Sequence, residues 1–411
     1  MDTLGTRIRR LRKDKQMTLE QVAAGKLTKG MLSLIENGKA HPSMENLHHI
    51  ALQLGVDVSD LIGNQNREEI RAILNKAEVL WEKINSPQEG KPLLDLIDPI
   101  VDSLPDTYEG ARLLEFYGKI HLLHENEEML THLEQAEHIY KKLHLHNEVV
   151  NIQIFRSELH FLKHAFDEAL SDILKVRKEI EVNDWHLNKM TKIELDYIEA
   201  AYYYAVGDYE EGAKITKKAL DYMNETHIYH IARELYVLAI VEATMNGNEE
   251  RWNYYMRKLK QFAEFTENPT FTLHAEILTI HYFCQYKQQY EDVLKMIENI
   301  KLTTSETEVF KNFIRLEEGI ALFGLKKYEE ALSKIQQCKI DTILPHPLDL
   351  SNQYRKFTFQ ALCYLELGNL KMAQKEINTA VELFSKMPPT PEKQFTMETY
   401  EKIKKASRYD N

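Results

Sequence analysis

The segment LTKGMLSLIENGKAHPS, residues 27–43, brings Lys29, Ser33, Asn37 and Lys39 into one short run. Ammonium, hydroxyl and amide groups grouped in this way donate to phosphate oxygens and to base edges. The distribution of charge makes that chemistry local: residues 1–64 hold nine Lys and Arg against seven Asp and Glu, a balance of +2, whereas residues 65–411 carry −14. A basic head on an acidic body implies that only the head approaches a polyanion. Other reactive groupings read as structural. His160 and His164 in HFLKH share a helix face, as do His227, His230 and Glu234 in HIYHIARE, but neither set has the spacing of a HExxH zinc site. Cys284, Cys338 and Cys363 are far apart, odd in number and without CxxC spacing, so they are expected as reduced core residues. No phosphate-binding P-loop, dinucleotide-binding GxGxxG or nucleophile elbow occurs. The expectation is no metal, no cofactor and no catalytic residue.

The elements that position the basic run are legible from periodicity. Apolar residues fall at helical spacing at Leu4, Ile8 and Leu11, at Val22 and Ala23, at Leu32 and Ile35, and at Leu47, Ile50, Ala51 and Leu54. Thr18 with Gln21 has the form of a capping box, and Thr28 can cap a helix beginning at Lys29. Gly25 breaks the second helix, Asn37-Gly38 ends the third, and Pro42-Ser43 starts the fourth. The second helix, a tight turn and the third make a helix-turn-helix, whose second helix enters the DNA major groove by its N-terminal end.

LGTRIRRLRKDKQMTLEQVA followed by LTKGMLSLIENGKAHPSMENLHHIALQLGVDVSDLI resembles the Xre/Cro-type helix-turn-helix over residues 4–62. The agreement includes Gly5, Ile8, Leu11, Arg12, Ala23, Ile35, Glu36, Gly38, Pro42, Leu47, Ala51 and Leu61. The resemblance implies a small five-helix domain at 1–63 in which Arg12 pairs with Glu36 to brace the first helix on the third. It also implies base-edge contacts from Lys29, Gly30, Ser33 and Leu34 beside the cap Thr28, with Asn37 and Lys39 on phosphates. Lys29 can donate to guanine, Ser33 can bond either groove edge, Leu34 can meet a thymine methyl and Gly30 lets backbone approach. Leu19 departs from the family, which often has Gln there, so one polar DNA contact is missing. A module this small makes few phosphate contacts, and useful affinity requires a dimer reading half-sites about 34–36 Å apart.

Beyond a linker and first helix at 64–90, residues 91–405 repeat. KHAFDEAL, VGDYEEGA, YKQQYEDVL, LKKYEEAL and LGNLKMAQ each follow a short turn, and their markers Phe166, Tyr209, Tyr290, Tyr328 and Leu370 are 43, 81, 38 and 42 residues apart. The 81 reads as two repeats with a degenerate one near MNGNEERW. A period near 40 made of two helices is a solenoid signature, similar to the tetratricopeptide repeat with longer helices. The fold class is therefore all-α, with a head followed by a right-handed superhelix of about seven to nine tetratricopeptide-like pairs. Small residues are expected where paired helices touch, at Ala169, Ala200, Gly319, Ala331, Ala361 and Ala373. Polar residues of the first helices are expected on a concave groove: Arg112, Asn151, Glu158, Tyr197, Tyr236, Asn312, Arg315, Asn352 and Arg355. Asn can satisfy both backbone groups of an extended peptide, and Arg can grip a carboxylate.

Together the two parts resemble the peptide-pheromone receptors of Gram-positive bacteria, the group of Rap, Rgg, NprR, PlcR and PrgX proteins, with the order and size of the parts most like NprR. That resemblance implies a quorum-sensing transcription regulator whose groove binds a short signalling peptide and which works as a homo-oligomer, a dimer or, with peptide, a tetramer. An alternative within the same group is a Rap-like protein that binds or dephosphorylates a response regulator. No apolar run of 18 residues and no signal-peptide pattern occurs, so no membrane contact and a cytoplasmic location are expected.

Overall fold

The computed structural model describes residues 4–58, 61, 64–84, 87–124, 130–300, 308–340 and 345–409. Among them every regular element is helical. The chain divides into two compact units, Met1–Leu145 and His146–Asn411.

Unit 1 begins with α1 (Leu4–Asp14), α2 (Leu19–Ala23), α3 (Lys29–Glu36) and α4 (Met44–Leu54). The caps are those the sequence calls for. The Thr18 hydroxyl accepts from Gln21 N while the Gln21 side chain accepts from Thr18 N, and the hydroxyls of Thr28 and Ser43 accept from Met31 N and Asn46 N. Ile8, Val22, Leu32, Ile35, Ile50 and Leu54 form a shared core with almost no exposure. The fifth expected helix falls around residues 57–63, of which 59, 60, 62 and 63 lie outside the described residues. Unit 1 continues with α5 (Asn64–Trp81), α6 (Lys91–Ile97), α7 (Tyr108–Leu123) and α8 (Leu130–Lys142). The expected linker at 64–90 thus begins with an 18-residue helix, α5.

Unit 2 is a row of paired helices. They are α9 (His146–Leu162) with α10 (Phe166–Val182), α11 (Lys189–Val206) with α12 (Tyr209–Thr226), and α13 (Ala232–Met245) with α14 (Glu249–Thr266). The row continues with α15 (Pro269–Tyr282) and α16 (Tyr290–Asn299), α17 (Glu308–Gly324) and α18 (Tyr328–Gln336), then α19 (Pro347–Glu366) and α20 (Leu370–Ser385). A last helix, α21 (Pro391–Tyr409), covers the end. Each marker residue read from the sequence is the first residue of the second helix of its pair.

A common turn explains the register. Two residues before each second helix the backbone takes a positive φ, at His164, Gly207, Gly247, Gln288, Lys326 and Gly368. The double step of 81 is resolved at Gly247, and α14 opens at Glu249 inside the degenerate repeat. At the pair contacts Ala169, Ala200, Ala331, Ala361 and Ala373 have no exposed surface. A Cβ on Gly319 would lie 2.4 Å from Ile335, so the α17–α18 approach requires glycine. Cys284, Cys338 and Cys363 are free and buried, as expected. No described helix is long and apolar enough to cross a membrane.

Candidate functional site

In the head, α3 stands on a rigid base. The Arg12 guanidinium donates to both Glu36 carboxylate oxygens, at 2.6 and 2.8 Å, and to Met17 O at 3.0 Å. Arg12 retains little exposure and Glu36 is 4% exposed, so this bidentate pair is worth more than a solvated surface pair. Hydrogen bonding to Glu36 raises the Arg12 pKa against the opposing effect of burial. Two further cations, which sequence reasoning missed, hold backbone carbonyls. Arg7 donates to Leu61 O at 2.8 Å, and Lys15 donates to Leu54 O at the end of α4. A basic residue one turn from an apolar stripe, with a helix C-terminus elsewhere to serve, is a pattern too general to have found them.

The outward face of α3 is free to touch a partner. Thr28, Lys29, Gly30, Leu34, Asn37 and Lys39 are exposed and Ser33 is half-buried. Asn37 donates to Ser33 O at 2.7 Å, which fixes the end of α3 and turns that amide partly inward. Gly30 is informative: a Cβ there would meet only Thr28 Oγ1, at 3.9 Å. Nothing within the chain requires glycine at this helical position, where it costs about 0.5–1 kcal/mol relative to alanine. Gln21 is engaged in the capping box and Leu19 packs on the head core, so the polar contact missing at Leu19 is not supplied by its neighbour.

In unit 2 the groove candidates sit on first helices, and a polar ladder links residues on and beside those helices. His230 bonds Glu194 at 3.0 Å, Arg233 donates to His274 at 3.0 Å, His281 bonds Glu317 at 2.8 Å, Arg355 donates to Glu317 at 2.6 Å, and the Thr358 and Thr396 hydroxyls are 2.8 Å apart. These partners are 36 to 41 residues apart, one repeat period. Burial, and then Arg233, push the His274 pKa down to about 4, so it is a neutral acceptor.

The strongest node is Glu317, which has no exposed surface, with Arg355 at 2%. Burial opposes its charge, but Arg355 and His281 outweigh this and push its pKa down to about 2. Burial likewise opposes the Arg355 charge, and Glu317 carries that pKa up instead. Arg355 Nε donates to Asn352 O at 3.1 Å. Two atoms here have no partner although solvent does not reach them: Arg355 Nη1 and Asn352 Oδ1. Buried polar atoms left unpaired cost roughly 1–3 kcal/mol each, and here a donor and an acceptor lie one helical turn apart.

The other candidates are distributed. Asn312 accepts from Arg315 at 3.3 Å and from Lys339 N at 3.2 Å, while Arg315 also donates to Glu308 at 2.8 Å. Asn312 lines a small cleft with Phe313, Leu316, Lys339, Asp349 and Lys356. Tyr197, Asn151 and Glu158 are half-buried on α11 and α9, and burial raises the Tyr197 hydroxyl to about 12. Tyr236 corrects the sequence reading: it is 8% exposed, packed with Leu235, Ala239 and Trp252, and its ring belongs to the core rather than to a groove wall. Arg112 belongs to unit 1, where it bonds Glu115 at 2.8 Å and lies over the Phe116 ring. Glu115, which shares the expected groove register with Arg112, is the centre of that cluster, taking Lys119 at 2.7 Å and Tyr140 at 2.9 Å as well. The histidines of HFLKH and HIYHIARE also serve locally: His160 bonds Asp172, and His164 and His227 occupy positive-φ turns.

Residues 8–61 match the helix-turn-helix family. The head is a helix-turn-helix domain. Among curated proteins none matches the chain. Similar solved structures include PlcR of Bacillus thuringiensis in complex with the peptide PapR7 and DNA, at 17% identity over 68% of this chain and 99% of that one, TM-score 0.38. ComR of Streptococcus vestibularis in complex with its cognate signalling peptide XIP is 18% identical over 67% and 96% of the two chains, TM-score 0.36. NprR in complex with its cognate peptide NprX is 14% identical over 84% and 90%, TM-score 0.42. The helix-turn-helix match ends before α5, so the role of the paired helices rests on their own geometry.

Proposed function

We propose that this chain is a cytoplasmic transcription regulator. Its helix-turn-helix binds operator DNA through the exposed face of α3, and a short signalling peptide on the inner wall of unit 2 switches it. The observation that carries the peptide reading is the buried, unpartnered pair Arg355 Nη1 and Asn352 Oδ1. An extended peptide presents one C=O and one N–H per residue, and a single residue satisfies both orphans at once. The DNA reading is supported by the exposed Lys29, Leu34 and Lys39, by the half-buried Ser33 beside them and by the otherwise unexplained Gly30. Two copies acting together fit the small contact surface of one head.

The test is titration of the purified chain with short peptides encoded beside its gene. Binding with raised melting temperature is the expected result, because a native-state ligand must stabilise. Asn352→Ala is expected to weaken that binding about tenfold, the loss of one hydrogen bond of roughly 1.4 kcal/mol, with the fold unchanged by circular dichroism. Binding unchanged in Asn352→Ala would remove the assigned anchor.

Gly30→Ala separates folding from DNA contact. The substitution is expected to raise the unfolding free energy of the head by about 0.5–1 kcal/mol while lowering DNA affinity severalfold. Calorimetry and an anisotropy titration check the two halves, and a variant that binds DNA as tightly as wild type would contradict the placement of α3 against bases.

A further inference from the structure

Two parts of unit 2 that are far apart in sequence meet. His346, the N-cap of α19, accepts from Leu348 N at its Nδ1 and donates from Nε2 to Ala201 O at 3.0 Å, near the end of α11. Leu348 packs against Ala200, Tyr204 and Leu238. The Tyr209 hydroxyl donates to Pro389 O, and the α11–α12 turn at Gly207, φ +86°, lies against Pro388 and Pro389. These partners are 145 and 180 residues apart, so the row of pairs returns to touch itself.

One side of this contact is cross-linked by side-chain hydrogen bonds. The Ser351 and Thr390 hydroxyls are 3.2 Å apart and Lys393 donates to Met387 O at 2.6 Å, tying the proline loop to α19. The contact is also small. Consecutive pairs share broad apolar cores, such as the one spanning Ala219, Leu235, Trp252, Met256 and Leu259, whereas among the described residues this seam has one inserted leucine, the Phe161–His346 ring contact at 5.8 Å, the packing of the Gly207 turn on the prolines and two hydrogen bonds. Arg355 Nη1 and Asn352 Oδ1 have no access to solvent, so any occupant requires movement, and a thin seam parts more readily than a broad apolar core.

We infer that this seam is an autoinhibitory clasp: α19 and the Pro388–Pro389 loop hold against the α11–α12 turn, and the inner wall accepts a ligand only when they separate. The inference rests on the peptide reading for its purpose but not for its test. An ideal Cβ on Gly207 would be 3.4 Å from Pro388 Cβ, close to the separation that a disulfide spans. In the full-length double variant Gly207→Cys/Pro388→Cys, hydrogen exchange of amides 348–358 is expected to slow at least tenfold on oxidation and recover with dithiothreitol, while α14 amides do not change. Tyr209→Phe, which removes a single bond, is expected to accelerate exchange in the same segment. Identical exchange in oxidised and reduced protein, or in Tyr209→Phe and wild type, would overturn the clasp. In parallel, the peptides encoded beside the gene are expected to bind the reduced form at least tenfold more tightly. If exchange responds and no such peptide binds either form, the clasp stands and the peptide reading falls.

Discussion

Replacing Glu317 with alanine is expected to lower the unfolding free energy of unit 2 by about 3–5 kcal/mol, the cost of stranding a buried charge. At about 2–4 °C per kcal/mol for a unit of this size, its melting temperature falls by roughly 10 °C. Arg355 is left without its 2.6 Å counter-ion, and His281 and Gln285 lose an acceptor each. The effect has a definite pH dependence. The Glu317 pKa is 4.5 as a free side chain and about 2 in the fold, so its contribution is present in full above pH 4.5 and is lost as pH falls toward 2. Thermal unfolding from pH 7 to pH 2 is therefore expected to show a steeper acid loss in wild type than in Glu317→Gln over that window. Parallel profiles would mean that Glu317 is not the charge that braces the inner helices.

Gly5→Val is expected to abolish DNA binding, with affinity down more than a hundredfold. A Cβ at Gly5 would be 2.2 Å from Ile35 O and 2.9 Å from Glu36 O, and backbone atoms cannot yield as a side chain does. α1 must then lift from the last turn of α3, which separates Arg12 from Glu36 and tilts the face that carries Lys29 and Ser33. Overpacking of this kind costs about 3 kcal/mol or more, against a total of roughly 3–8 kcal/mol for a head of this length. The check is paired: an anisotropy titration on duplex DNA, and calorimetry in which the unit 2 transition is retained. A variant that binds DNA normally would show that α1 does not need to approach α3 this closely.

The head was legible because its signals are local. Thr18, Thr28 and Ser43 are caps whose partners lie three residues away, and the Arg12–Glu36 pair came with a resemblance carried by many fixed positions. The paired helices were legible through one repeated turn, and the positive-φ residue two places before each marker is its physical basis. Contacts between neighbouring pairs follow the same period, so Glu317 with Arg355 could have been sought at a spacing near 38. The failures have another origin. Tyr236 packs with Leu235, Ala239 and Trp252, contacts between helices that its position in the repeat does not reveal. The meeting of His346 with Ala201 depends on curvature accumulated over several pairs, and no local pattern encodes that sum.

The most direct test of the account is the affinity of the full chain for a duplex enriched from a random pool, measured by anisotropy at one fixed salt concentration with and without saturating peptide. A peptide switches the protein only by preferring one arrangement, and the account predicts a change of at least tenfold in Kd, or about 1.4 kcal/mol. Equal Kd values with the peptide demonstrably bound would contradict it.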